Sequence, residues 1–506
     1  MNKNNYLRNI IVLSLLPWLA ACVSLRDTVD DDLAQAPPAV HGCMALLDNV
    51  DEVVAQAGVA DAEAHRVAGY PYLRVDRFSA SFRDAVSSGD AWTPWVARLR
   101  KLDQDARRAE ISNLPAAVLA TLDGGGRALL WHRIEQCAGL LMQHDQAAPA
   151  RRAALSARAR VPDAYATAQR IAGLYALTRV PFSWGIERLQ NDILRDFREV
   201  AAGREPAQPL LRYALREQPA PALTREPIAA LIRRASRNAL RIPEFSDGER
   251  EWLARAHAPR FAIETGGAFD RFGRLAWRSG AAPVVDHAAP VVYYRVAYTR
   301  YHSHTLTQLV YTLWFPQRPR EHALDLLAGA LDGVVFRVTL SPEGEPLLYD
   351  SMHACGCFHW FFPTARVQPL PTPEGAGEWA FIPATLPPDA DVPITVRIAT
   401  RTHYLLKVAP DNAVPTDADV RGYTLQPEDS LRAVPHGTGT RSVYGPDGLI
   451  PGSERGERFF FWPMGIHSAG AMRQWGHHAT AFIGRRHFDD AQLIEKRFRV
   501  LREIAP

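Results

Sequence analysis

Lysine is almost missing from this chain of 506 residues, occurring only as Lys3, Lys101, Lys407 and Lys496. The basic residues are therefore arginines, interleaved with acids as in Arg195-Asp196-Phe197-Arg198-Glu199. The net charge is only +3, and no basic stripe carries interspersed aromatics, which argues against a nucleic-acid partner. Beyond residue 21 there is no long apolar run, so the body is not expected to cross a membrane. His-Glu-x-x-His, Gly-x-Ser-x-Gly and the phosphate-cradling Gly-x-x-x-x-Gly-Lys are all absent, as are internal repeats. These absences remove the common metalloprotease, serine-hydrolase and nucleotide-binding readings. Cysteine is scarce too, with five in all.

The first residues read as a targeting segment. Lys3 and Arg8 precede an apolar run from Ile10 to Ala21 that is too short to span a bilayer comfortably. It ends in Leu19-Ala20-Ala21-Cys22, which resembles the lipobox of bacterial lipoproteins. That resemblance, confined to the first two dozen residues, implies cleavage before Cys22 and lipidation of that cysteine. The mature chain would be held to a membrane leaflet in the cell envelope through this lipid. In lipoproteins of this kind an Asp after the cysteine implies inner-membrane retention. Val23 stands there instead, which leans towards the outer membrane facing the periplasm. No family is recognised for the body, and no protein partner can be named.

The chain divides by pattern into a signal peptide (1–21), a polar lipidated tether (22–40), an α-helical region (41–257) and a β-rich domain (258–506). The expected class is α+β, a helical N-terminal half followed by a largely antiparallel β-rich C-terminal half. Ile186, Leu189, Ile193, Phe197 and Val200 form one helical stripe, with Ser183 as a plausible N-cap and Gly203 past the end. Ser246-Asp247-Gly248-Glu249 has the spacing of a capping box. After residue 258 the period becomes two: Tyr294, Val296 and Tyr298, then Leu309 to Phe315, then Val334, Phe336, Val338 and Leu340. Ser341-Pro342-Glu343-Gly344 reads as a turn before a return strand.

Cys43 and Cys137 each sit on an apolar helical face and can form a disulfide, worth about 4 kcal/mol on the chain-entropy model, or remain packed thiols. The most informative stretch is His353-Ala354-Cys355-Gly356-Cys357-Phe358-His359. In an exported protein a Cys-x-Cys is protected by a metal, a disulfide or deep burial. On a strand, residues two apart share a face, but four such positions span about 20 Å, so a straight strand cannot build a four-ligand cage. His302 and His304 are the best candidates to complete it from a neighbouring strand. The set His302, His304, His353, Cys355, Cys357 and His359 would suit zinc, with copper as the alternative.

His477 and His478 are accessory candidates within a histidine-rich segment that also holds His467 and His487. Arg485 and Arg486 could bind an anionic substrate. Asp489 and Asp490 are expected to cap a terminal helix through Leu493, Ile494 and Phe498. Three functional classes follow. They are a metal-dependent envelope enzyme, hydrolytic if the ion is zinc; a Cys-nucleophile enzyme using Cys355 or Cys357; and a noncatalytic binding lipoprotein with a structural metal or disulfide.

Overall fold

The computed structural model describes residues 35–86, 90–122, 126–216, 225–278, 280, 282–387, 393–410 and 420–501. The expected signal peptide, Cys22 and most of the expected tether lie outside these residues. The chain forms two compact units, Met1–Ala60 with Ala64–Val161, and Asp61–Glu63 with Pro162–Pro506. The expected boundary near residue 258 marks a change of periodicity, whereas the compact units part after Val161.

In the first unit, helix α1 (Pro38–Gln56) starts with a proline in its first turn, where a missing N–H costs nothing. It buries Leu47, Val50 and Val54 on one stripe. A hairpin of β1 (His65–Val67) and β2 (Tyr70–Val75) and the helices α2 (Trp92–Asn113) and α3 (Gly126–Ala147) complete the framework. Cys43 of α1 and Cys137 of α3 are joined in a disulfide across 94 residues of sequence. The unit also buries a paired charge network. Arg74 contacts Glu110 at 2.7 Å, and Arg107 contacts Asp103 at 2.7 Å and Asp51 at 2.6 Å. Buried charges persist only when paired in this way.

The first long helix of the second unit is α4 (Tyr175–Ala201), whose start lies eight residues before Ser183. Ser183 is therefore inside the helix, where its hydroxyl donates to the Val180 carbonyl, rather than an N-cap. Strand β3 (Leu210–Leu215) follows, then α5 (Arg225–Ala235) and α6 (Asp247–Ala256). The capping box of α6 is present, with Ser246 and Glu249 each bonding the other's backbone N–H.

A ten-stranded sheet is built from β3, β4 (Arg260–Glu264), β5 (Val291–Tyr301), β6 (His304–Arg318), β7 (Gly329–Leu340), β8 (Pro346–His353), β9 (Trp360–Pro363), β10 (Ile394–Ile398), β11 (Leu405–Pro410) and β12 (Val420–Pro427). Their order is β9-β8-β7-β6-β5-β12-β3-β4-β10-β11.

The sheet is mixed, which corrects the expectation of a largely antiparallel one. The run β5 to β9 is an antiparallel meander. By contrast β12 lies parallel to both β5 and β3, and β10 lies parallel to β4. The central strands are apolar on both faces because both are covered. Val334, Phe336 and Val338 join one core with Tyr311, Leu313 and Tyr349, while Val335 joins another with Val310, Trp314 and Met352. The C-terminal segment is a second correction. Residues 491–497 form turns and Phe498–Val500 a short strand, so no terminal helix exists there, and Asp490 accepts the His487 N–H instead.

Candidate functional site

The Cys-x-Cys segment is a tight turn at the end of β8. The His353 N–H donates to the Cys357 carbonyl at 2.9 Å and the Gly356 N–H donates to the His353 carbonyl at 2.7 Å. Gly356 adopts φ +95, and a Cβ there would lie 2.5 Å from the Ala479 carbonyl oxygen, so the position admits only glycine. This geometry draws the thiols together: the Cys357 N–H points at the Cys355 sulfur from 3.4 Å. Both are free thiols, Cys355 buried and Cys357 half-buried. Arg473 clamps the turn, with its Nε donating to the Cys355 carbonyl at 3.0 Å and its backbone N–H to the Ala354 carbonyl at 2.9 Å.

The surroundings set the charge state of Cys357. The Cys357 thiol is pushed well above its ordinary range by its hydrogen bond to Cys355, then by burial and by the charges of Cys355 and Glu457, against the pull of Arg473. Glu457 is itself buried, and burial raises its carboxyl to about 7 despite Arg455, Arg318 and Arg473. Among the described residues its carboxylate makes no hydrogen bond or ion pair. It packs where Gly470 has no side chain, since a Cβ there would overlap the carboxylate.

A second buried cluster stands at the same end of β7 and β8. His403 Nδ1 lies 2.7 Å from Asp332, and its Nε2 lies 3.4 Å from Asp270. Burial opposes a charge on His403, but the two carboxylates outweigh it and hold its pKa above the usual value. Phe315 stacks on the ring at 4.0 Å. Burial likewise opposes ionisation of Asp332, yet His353, Arg455 and His403 hold its carboxyl well below the ordinary range. His353 Nδ1 lies 3.4 Å from Asp332, and burial pushes its pKa down against the pull of that carboxylate. Its Nε2 has no hydrogen-bond partner among the described residues. The Tyr404 ring packs on His353 at 5.6 Å and feels the Cys357 charge.

The remaining sequence candidates are scattered. His302, at the exposed tip of the β5–β6 hairpin, has φ +52 and lies 3.3 Å from Glu495. His304 begins β6. In the ladder, His353 is opposite Val334 and Val334 is opposite Leu313. His304 is nine residues back along β6 from Leu313, or about 30 Å at strand rise. The expected meeting of His302 and His304 with Cys355 and Cys357 is therefore corrected, because the histidines occupy the opposite end of the sheet.

His359 hydrogen-bonds Asp350 at 2.8 Å. Asp350 and His353 differ in parity along β8, so His353 and His359 serve opposite faces. Among the described residues no group of three or more His, Cys, Asp or Glu side chains is arranged to hold a metal ion. His477 contacts the Ala62 carbonyl at 2.7 Å, and His478 contacts the Ala354 carbonyl at 3.2 Å. His467 is exposed, and His487 lies 3.3 Å from Asp163. Arg485 is paired with Asp163, while the buried Arg486 is spent on the Trp379 and Thr480 carbonyls.

Sequence reasoning missed Asp332, His403, Asp270, Glu457 and Arg473. Only Asp332 carried a signal, an isolated acid in the apolar run Leu331-Asp332-Gly333-Val334-Val335. Comparison with protein-family models, with curated proteins and with solved structures yields no match.

Proposed function

We propose that the second unit is a thiol-dependent enzyme of the cell envelope that carries out thiol–disulfide exchange through Cys357 and Cys355. The observation that carries this reading is the 3.4 Å approach of the Cys357 N–H to the sulfur of Cys355, with both sulfurs reduced. Cys357 is the more exposed residue of the two and is taken as the attacking group. Its thiol is neutral at rest, so a proton acceptor is needed. Glu457, with a carboxyl that titrates at about 7 and a charge that reaches the thiol, is suited to that role. Arg473 lies close enough to stabilise the thiolate.

The Cys357 thiolate attacks one sulfur of a substrate disulfide, forming a mixed disulfide and releasing the other sulfur as a thiol. Cys355 then attacks the Cys357 sulfur, closing the Cys355–Cys357 disulfide and releasing the second substrate thiol. The dithiol loses two electrons and the substrate disulfide gains them. A disulfide between residues two apart closes a small ring and is readily reduced, as catalytic rather than structural disulfides are. This is the nucleophilic-cysteine class, and it uses the Cys-x-Cys segment without requiring the distant histidines. Lipidation at Cys22 remains part of the proposal, because it would place this chemistry in an oxidising compartment.

The test is a trapping experiment. Cys355→Ser, which keeps Cys357 and removes the resolving sulfur, should accumulate a mixed disulfide with glutathione on treatment with glutathione disulfide, releasing one equivalent of glutathione. Cys357→Ser should not. Failure of both variants to form any adduct under native conditions would favour the noncatalytic reading.

A further inference from the structure

Helix α4 buries only Ile193, Phe197 and Val200, all in its C-terminal half. There Phe197 packs on Trp360 and Phe362. The N-terminal half leaves more apolar surface open: Leu174 at the N-cap, Leu177, Val180 and Trp184 are exposed, Leu177 at 69% and Trp184 at 66%. Beside it stand the short helix α7 (Arg458–Phe461) and the turn Trp462–Met464, with Phe459 at 72% and Phe460 at 63%. Phe182 joins the segments by ring contacts to Phe461 at 5.3 Å and Phe460 at 6.2 Å. Arg170 donates to the Met464 carbonyl at 2.8 Å from the same side. Eight of the twelve large apolar side chains exposed among the described residues belong to these two segments, counting Ile171 and Trp462. Apolar exposure concentrated like this marks an interaction surface.

We infer that this face docks the second unit onto the anionic headgroup region of a lipid leaflet. Its chemistry separates a leaflet from other occupants. Residues 171–186 and 458–466 each contain one charge, Arg179 and Arg458, and no acid, and the first acid of the helix, Glu187, is followed directly by Arg188. Exposed Trp, Phe and Leu beside arginine, without carboxylates, is the composition of interfacial segments, where aromatic rings sit at headgroup depth and arginine meets lipid phosphate. No described helix is long and apolar enough to cross a membrane, so the helix lies along the surface. The docked helix also bears on the thiol turn, because Ile186 and Leu189 line a cavity of ≈ 70 Å³ with Phe358, the neighbour of Cys357. The inference does not depend on the chemistry proposed for the thiols.

The experiment uses the mature chain carrying Cys22→Ser, so that no acyl chain can hold it. It is floated with phosphatidylcholine vesicles containing about one third phosphatidylglycerol. The protein should rise with the vesicles. Leu177→Asp, Trp184→Asp and Phe460→Asp together should reduce binding at least tenfold while near-ultraviolet circular dichroism is unchanged. If the triple variant loses its native spectrum, Leu177→Asp alone gives the comparison, with a reduction of several-fold expected. Equal binding by variant and parent, or a parent that stays at the bottom of the gradient, overturns the inference. So does a concentration-dependent dimer that the triple variant abolishes, since a second copy would then cover the face.

Discussion

The N–H of Cys357 meets the sulfur of Cys355 at 3.4 Å, and this one contact joins the backbone turn to the chemistry of both thiols. The hydrogen bond between the two side chains is the largest influence raising the Cys357 pKa. Cys355→Ala should therefore increase the thiolate fraction of Cys357 at pH 7. Lower basicity also lowers intrinsic nucleophilicity, so the net gain in alkylation by iodoacetamide is roughly threefold per unit of pKa lost. Peptide mass spectrometry at timed intervals reads the rate, and a slower or unchanged rate would contradict the assignment.

Glu457 should appear in the pH dependence. Its carboxyl titrates at about 7 because burial disfavours the charge. The alkylation profile of Cys357 should then show an inflection near pH 7 that Glu457→Gln removes. The linkage has a definite sign. A carboxyl raised above its unfolded value supports the fold fully below that value and progressively less as pH rises through 7. Glu457→Gln should thus flatten the loss of stability between pH 4.5 and 7, an effect on the order of 3 kcal/mol at most. Denaturant titrations at pH 5 and pH 8 provide the check.

Buried neutral histidines act in the opposite direction. Burial depresses His359 and His478 to about 3 and His257 to about 4. Below pH 6.5 the unfolded chain takes up protons that the folded one refuses, so stability falls as pH falls. The loss is on the order of 2 kcal/mol per histidine between pH 6.5 and 5. Denaturant midpoints of the second unit should decline over that interval. A midpoint that is flat from pH 6.5 to 5 would mean these imidazoles are accessible to protons in the fold.

What the sequence made legible was local. Alternation at Val334, Phe336 and Val338, the Ser341–Gly344 turn and the Ser246/Glu249 capping box all depend on neighbours a few residues apart, and the structure contains each of them. Strand direction is not written in alternation, which is why β12 and β10 could not be recognised as parallel partners. Nor does the same-face rule fix register. His302 and His304 satisfy it, yet the β5–β6 hairpin carries them to the far end of the sheet. Asp332 and His403 come together only through the folded sheet, from 71 residues apart. Leu493, Ile494 and Phe498 fit a helical stripe on paper, but all three are buried in a turn and a strand end by tertiary packing.

The Cys43–Cys137 disulfide gives a test of the first unit alone. Closing a loop of 94 residues restricts the unfolded chain, so Cys137→Ala should cost about 4 kcal/mol, within a usual range of roughly 2 to 5. The denaturation midpoint of the first unit should fall while Cys357 reactivity is unaffected. An unchanged midpoint would mean that the cross-link is absent or bears no strain from unfolding.

The central claim, that Cys355 and Cys357 form an exchangeable dithiol, is tested most directly by equilibrating the purified protein in glutathione buffers of graded potential. Each sample is quenched in acid and its Cys355–Cys357 peptide is weighed by mass spectrometry. A single reversible two-electron transition is expected, 2 Da in the mass of that peptide, absent in both Cys355→Ser and Cys357→Ser. A peptide that keeps two free thiols across the whole range, or one that oxidises and cannot be reduced again, would contradict it.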